Sequence, residues 1–424
     1  MNTLIELLNR DERVSGYKIN VHRKESYELF FIKGKLETLR CTDTCDKSVT
    51  VYAAHDGFLG DAQFFVYPST TQAQLKERID TAVAQALMIR NPAYELPAAE
   101  TGDYRVETNL DTLSPAELAA QIAQTVFGAN QDETCALNSL EIFLVRHTET
   151  VINSRGLRKT QIRCNATVEA IPTCNGETQS VELYELIQMG NLDEAALARE
   201  IAGKLEDVKS RNSAVTPAAP VSCNVILNAQ ELAEFFINFP WDLHYSSVYS
   251  QSNLYNKGDA IQKNPTGDPI GITMAGEYQG CVRSSKFDAD GLKLGTIRLI
   301  DDGKVLNYYG SNRYGQYLGE SPTGELGCLL LDAGTVEDPE FSEGPYLEIR
   351  SMSGLQVDFY SDYIGGEIRL AYYHDGNSVT PVTGISVSGK LSEILERIRF
   401  SRSTTVFGSY CGPEKAILTG MQIF

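Results

Sequence analysis

The chain is short of positive charge, of histidine and of long apolar runs, and each shortage excludes something. Its 37 Lys and Arg stand against 56 Asp and Glu, a formal net charge of −19. That balance excludes a role dominated by phosphate neutralisation, so nucleic acid is not an expected partner. No apolar run approaches the ~18 residues of a membrane span, and the opening MNTLIELLNRDER has neither a basic n-region nor a cleavage site. The expectation is a cytoplasmic protein with no membrane partner. Nine cysteines, an odd count without a pairing rhythm, predict reduced thiols and no disulfides. Cys41 and Cys45 make a C-x-x-x-C pair on a strand or loop, but no second Cys/His pair completes a zinc set, so inert surface thiols are the simpler reading. None of His22, His55, His147, His244 and His374 opens an H-E-x-x-H or H-E-x-x-x-H sequence.

What is present is ample core material, 42% hydrophobic residues over 424 positions, enough for two or three domains. Tyr27 to Ile32, a Lys33-Gly34-Lys35 turn, Val49 to Tyr52 and an Asp56-Gly57 turn predict a small antiparallel sheet. Leu75, Ile79, Val83 and Leu87 predict a helix stopping near Asn91-Pro92. Ser114-Pro115-Ala116-Glu117 announces a second, with Ser114 capping and Glu117 bonding back. Leu140, Ile142 and Leu144, then Ile162 to Val168 at period two, predict strands around a turn at Asn153-Ser154-Arg155-Gly156, and Leu197, Ile201 and Leu205 a third helix. The first half thus reads as strand-helix modules of an α/β domain. Residues 208–222, with two prolines and few large apolar groups, mark a boundary, giving domains 1–212 and 213–424. Beyond it a helix starts at Asn228 with Glu231 three residues on and ends at Pro240. The rest is mostly strand, with a hairpin at Asp302-Gly303, a turn at Asp375-Gly376 and a late helix at Leu391 to Ile398. The fold class is α+β, an α/β domain followed by a mainly antiparallel β domain.

Three features invite a chemical reading. His244, beside Trp241 and Asp242, has the chemistry of a metal ligand or base, although a lone histidine among aromatics is more often packed. Gly384 to Lys390 matches G-x-x-x-x-G-K, but Leu391 follows where a P-loop needs a hydroxyl for Mg²⁺, and Ile385 and Val387 alternate like a strand. Gly310 to Gly319 packs three glycines, Asn312, Arg313 and Tyr314 into ten residues, a composition for a cleft-lining loop where Arg313 forks onto a peptide, or for a turn with a buried ion pair.

The order and spacing of several segments resemble the TldD/TldE (PmbA) proteins, once labelled modulators of DNA gyrase and viewed as metallopeptidases. They are the Asp56-Gly57 turn, Asn153 to Gly156, Leu299 to Gly303 running into Asn312-Arg313-Tyr314, Ser353 to Asp358, and Pro381 to Gly384 leading into Ser388 to Leu391. The resemblance spans nearly the whole chain. Its catalytic members carry H-E-x-x-x-H on a helix and a downstream Cys as zinc ligands; a partner type lacks them. Anchored on Val225-Ile226-Leu227, and on Val248-Tyr249 through Lys257-Gly258, the first His, the Glu and the second His fall at Ile237, Asn238 and Asp242, and no cysteine occurs between Cys328 and Cys411. A hydrolytic zinc needs about three protein ligands, so the resemblance implies a subunit of the partner type, not catalytic by itself, with zinc only in a catalytic partner. It implies a homodimer or a heterodimer with a TldD-like subunit, handling extended peptide or unfolded protein. Asn312, Arg313, Tyr314 and Gln356 are the expected peptide contacts. The alternatives are an autonomous metallopeptidase with a rearranged zinc site, using His244 and Asp242 with Cys281 or Cys328, and a non-enzymatic peptide-binding homodimer.

Overall fold

Long alternation of apolar and polar residues lets a strand bury one face only, and the first half of the chain uses it on a large scale. The computed structural model describes residues 1–129, 134–176, 180–217, 223–337, 340–341 and 343–424. A helix that the sequence reading missed, α1 (Asn2–Arg10), buries Leu4 and Leu8. Next come β1 (Gly16–Ile32), β2 (Lys35–His55) and β3 (Phe58–Val66), an antiparallel meander. Both turns, Lys33-Gly34 and Asp56-Gly57, have positive φ at both residues, the geometry that follows the strand twist. The Leu75, Ile79, Val83 stripe lies on α2 (Gln72–Ala86), opened by a reciprocal Thr71/Gln74 cap.

After β4 (Thr101–Arg105), α3 (Pro115–Ala129) starts as expected: Glu117 N donates to Ser114 Oγ at 3.3 Å and Ser114 N to Glu117 Oε2 at 3.0 Å. Then come β5 (Cys135–Asn153), β6 (Arg158–Asn175), β7 (Ser180–Glu182), β8 (Glu185–Met189) and α4 (Glu194–Ser213). The β5–β6 turn is made by Asn153, whose Oδ1 accepts from Arg155 N and Leu157 N, and by Gly156 at φ 90°. The sheet runs β3-β2-β1-β5-β6-β4, with β7 and β8 also on β6, and only β4 to β6 is parallel among these pairs.

Two expectations fail here. Helix α4 carries Leu197, Ile201 and Leu205 but runs on to Ser213, with Val208 buried on the same stripe, so 208–213 is helix and not linker; residues 218–222 of that stretch lie outside the described residues. Cys135 and Cys174 are register partners across β5 and β6 and form a disulfide, although none was expected. The two lie 39 residues apart, and only the long hairpin brings them together.

The second half begins with β9 (Asn224–Asn228), α5 (Ala229–Phe236), α6 (Asn238–Asp242) and α7 (Tyr245–Tyr249). It continues with β10 (Ile272–Ala275), β11 (Thr296–Asp301), β12 (Lys304–Val305), α8 (Asn312–Leu318) and β13 (Cys328–Leu331). Then come β14 (Tyr346–Met352), β15 (Gln356–Asp358), β16 (Tyr363–His374), β17 (Val379–Val382), β18 (Ile385–Lys390) and α9 (Leu391–Arg397). The chain closes with β19 (Arg399–Phe400), β20 (Thr404–Phe407), β21 (Tyr410–Pro413), β22 (Lys415–Leu418) and β23 (Gln422–Ile423). One sheet runs β12-β11-β10-β13-β21-β20, the other β19-β22-β9-β14-β16-β18-β23 with β15 and β17 on β16. They share one apolar core, in which Phe235, Phe236 and Phe239 are fully buried. The Gly384 to Lys390 match to a P-loop is strand β18, paired with β16 and β23.

The architecture is mixed, with mostly antiparallel sheets, as the α+β reading expected. Among the described residues no helix is long and apolar enough to cross a membrane.

Candidate functional site

Polar side chains tie the first sheet to the loop 285–291. Gln161 donates to Ser285 Oγ at 2.9 Å and accepts from Lys286 N at 2.9 Å, Lys159 donates to Gly291 O at 2.9 Å, and Lys18 pairs with Asp290. A second seam is α8 against residues 94–95. Away from these seams a cleft of about 710 Å³ stays open, walled by α4 and the end of β8 on one side and by the start of α5, Gln279-Gly280 and β20 on the other. At its rim Gly190 N donates to Gly280 O at 3.0 Å, and a Cβ on Gly190 would sit 2.7 Å from Cys281 O, so the approach needs glycine.

Two sheet edges border the cleft. Among the described residues the only ladder of β20 is with β21, and the only ladder of β8 is with β6. Each leaves one row of backbone donors and acceptors without a strand partner. Val406, on β20, is exposed.

Beneath the cleft lies a buried charge network. Lys204, in the apolar stripe of α4, meets Glu185 Oε2 at 2.9 Å. Burial works against its charge, but Glu185 and Glu200 outweigh it and hold the ammonium above its usual range. One turn on, Asp207 receives Arg350 Nε at 3.1 Å and the Tyr372 hydroxyl at 3.1 Å. At the mouth of α5, Asn228 caps the helix by accepting from Gln230 N at 3.0 Å, as expected. Glu231, buried one turn in, has an Oε2 atom with no hydrogen-bond partner, and burial pushes its carboxyl up to about 7.

The residues singled out from sequence are scattered. Ile237, Asn238 and Asp242 straddle the junction between α5 and α6 rather than one helix. Ile237 packs on the core, Asn238 donates to the carbonyls of Glu234 and Phe235, and Asp242 accepts from Leu254 N and Tyr255 N at 2.7 and 3.0 Å. Asn312 donates to Glu95 O at 2.7 Å, and Arg313 pairs with Asp61 at 2.9 Å over the Tyr94 ring. The ion pair that the composition of that loop allowed is thus formed, with Asp61 as its partner. Tyr314 packs on Tyr249 and Tyr317, and Gln356 is exposed on β15. None of these four lines the cleft. His244 bonds to Ser246 Oγ at 2.6 Å and Glu325 Oε2 at 3.0 Å.

Among the described residues, His244, Asp242, Cys281 and Cys328, the residues of the alternative zinc site, do not form a group of three metal-ligating side chains. Among the described residues only His22, His147 and Glu149 bring three metal-ligating atoms within 4.8 Å of one another, and His244 is in no such group. Cys281 and Cys328 are buried with Cys411 in a cluster of their own, where Cys281 Sγ lies 3.9 Å from Ser409 O and Cys328 Sγ 3.6 Å from Ser284 Oγ. Cys41 and Cys45 are free and exposed on β2. The sequence reading missed Lys204, which falls in the Leu197, Ile201, Leu205, Val208 stripe; a lysine inside an apolar stripe was the available signal.

Residues 220–423 match the family profile described as the PmbA/TldA metallopeptidase C-terminal domain. No curated protein matches the chain. Among solved structures, TldE from Thermococcus kodakarensis is similar at a TM-score of 0.79 and 15% identity, over 100% of this chain and 99% of that one. A proposed modulator of a DNA gyrase from Thermotoga maritima gives 0.78 and 14%, over 100% and 99%. One from Bacteroides thetaiotaomicron gives 0.79 and 12%, over 100% and 97%. At these identities the structures show a shared fold, and it extends over the whole length. Residues 220–423, just under half of the chain, thus carry the PmbA/TldA metallopeptidase C-terminal domain, and the fold as a whole is the one those solved structures share.

Proposed function

We propose that this chain is a TldE/PmbA-like subunit of a TldD/TldE-type metallopeptidase system. It does not hydrolyse peptide by itself; it holds an extended peptide in the cleft for a zinc-bearing partner subunit. The observation that carries the reading is the pair of sheet edges on β20 and β8 bordering a cleft of about 710 Å³. Main-chain pairing to such an edge recognises an extended peptide with little regard to sequence. Among the described residues that line that cleft there is no histidine or cysteine, and the sequence has no cysteine between Cys328 and Cys411, so the cleft does not offer the ligand set of a hydrolytic zinc. Asn312 and Arg313 are assigned to holding the two halves together, with Tyr314 and Gln356 kept as outer peptide contacts. The division into 1–212 and 213–424, the dimeric state and the cytoplasmic location belong to the same proposal.

The test is a peptidase assay on an unstructured peptide with the chain alone and mixed with a zinc-bearing TldD-like subunit. Hydrolysis only in the mixture, together with binding of the peptide by the chain alone, is the expected result. Hydrolysis by the chain alone that a chelator stops would overturn the reading.

A further inference from the structure

On one face of the first sheet, remote in chemistry from the cleft, three ligand-bearing side chains stand together. His22 of β1 and Glu149 of β5 are register partners, and His147 lies two residues before Glu149 on the same face. His22 Nε2 is 2.8 Å from His147 Nδ1 and 3.8 Å from Glu149 Oε1. An ion held at about 2.1 Å by each would set its ligand atoms roughly 3.0–3.5 Å apart. The two observed separations bracket that range, so adjustments below an ångström complete the geometry.

The surroundings orient all three groups. Asn165 Oδ1 accepts from His147 Nε2 at 2.9 Å, which places the ring proton on Nε2 and turns the Nδ1 lone pair toward His22. Gln161 Nε2 and Arg163 Nε donate to Glu149 Oε2 at 2.8 and 3.3 Å, and Arg163 Nη2 donates to Oε1 at 2.9 Å. One lone pair of Oε1, the oxygen nearer His22, is left open. On the other side of His22 its register partner on β2 is Asp46, exposed on the same face, an oxygen within reach of a fourth position. Lys24 and Arg163, both register partners of His147, are the neighbouring cations on this face, with Lys18 and Lys159 further along it, and they are set against Glu149 and Asp46.

We propose that His22, His147 and Glu149 bind a divalent transition-metal ion of the zinc or cobalt class, with Asp46 or water completing the shell. Two imidazoles and a carboxylate suit such an ion, and a ligating His normally gives its other N–H to an oxygen acceptor as His147 does to Asn165. The ion replaces the N–H···N contact between the rings. Because Gln161 binds both Glu149 and the loop at Ser285, occupancy is felt at the contact between the two halves.

The experiment is titration of the full-length, metal-free and untagged chain with Zn²⁺ and with Co²⁺, following bound metal and the visible bands of cobalt. About one ion per chain is expected. His22→Gln and His147→Gln should each weaken binding at least about tenfold, and Asn165→Leu by a similar factor, because the orienting acceptor is lost. A Cys41→Ser/Cys45→Ser variant should bind as the unaltered chain does. Absence of saturable binding, binding that survives the double histidine variant, or binding lost with the two serines would each overturn the site. The readout is metal content, so its failure leaves the peptide-binding reading untouched.

Discussion

Lys204 and Glu185 meet at 2.9 Å under the floor of the cleft, and both are almost wholly buried. A buried pair of this kind gives little net stability, but breaking it strands a charge. Lys204→Met alone should therefore destabilise the chain by about 3 kcal/mol, while Lys204→Met with Glu185→Leu should recover most of that loss. Urea unfolding of the two variants checks this; equal losses in both would mean the charges are not coupled.

Glu231 makes stability depend on pH with a definite sign. Its carboxyl is raised by burial from 4.5 to about 7 in the folded chain, so the folded state holds the proton more tightly than the unfolded one. The contribution is complete below about pH 4.5 and is lost as pH rises through 7. Glu231→Gln cannot titrate, and relative to it the unaltered chain should lose up to about 3 kcal/mol between those limits. Parallel denaturation curves at pH 5 and pH 8 would show that Glu231 carries no such linkage.

What was legible in the sequence was local. The Ser114/Glu117 cap, the Asp56-Gly57 and Asp302-Gly303 turns and the Asn228 cap each follow from residues within four positions of one another, and each is where it was expected. What escaped depends on register across long separations. Cys135 meets Cys174 only through two strands of 19 and 18 residues, and His22 meets His147 only because β1 pairs with β5. The cleft is harder still, since its walls come from α4, α5 and β20, and no short pattern encodes that an edge strand has been left without a neighbour. The Arg313 loop was recognised as notable for its glycines and its cation, but composition cannot tell a peptide clamp from an internal ion pair.

Arg313 fastens α8 to the first half by pairing with Asp61 and lying 5.1 Å over the Tyr94 ring. Arg313→Ala should cost about 1–2 kcal/mol and speed amide exchange around Tyr94 and Glu95. Affinity for an unstructured peptide should stay the same. A large loss of peptide affinity with unchanged exchange would return Arg313 to the peptide site.

The Cys135–Cys174 bond is open to direct counting. Denatured without reductant and alkylated, the chain should take up seven groups, the number of free cysteines, and nine after reduction. Closing a loop of this length is worth about 4 kcal/mol in the chain-entropy model, so reductant should also lower the melting temperature. Nine alkylated cysteines without reductant would remove the bond.

The edge of β20 gives the sharpest test of how peptide is held. Val406 is 38% exposed and borders the cleft, and its register partner on the paired side is Cys411. A lysine on an open edge is a common way in which folded proteins prevent strand addition, because a second strand would have to desolvate the ammonium. Val406 is not part of the buried core, so Val406→Lys should change stability by less than about 0.5 kcal/mol. Peptide binding by main-chain pairing at that edge should nevertheless weaken roughly tenfold, a difference of about 1.4 kcal/mol. Fluorescence anisotropy with a labelled unstructured peptide measures the affinity, and a melt on the same sample measures the stability. If affinity is unchanged in Val406→Lys but falls in an equivalent substitution on β8, the peptide lies on the other wall of the cleft; if neither substitution matters, strand addition is not the mode of binding.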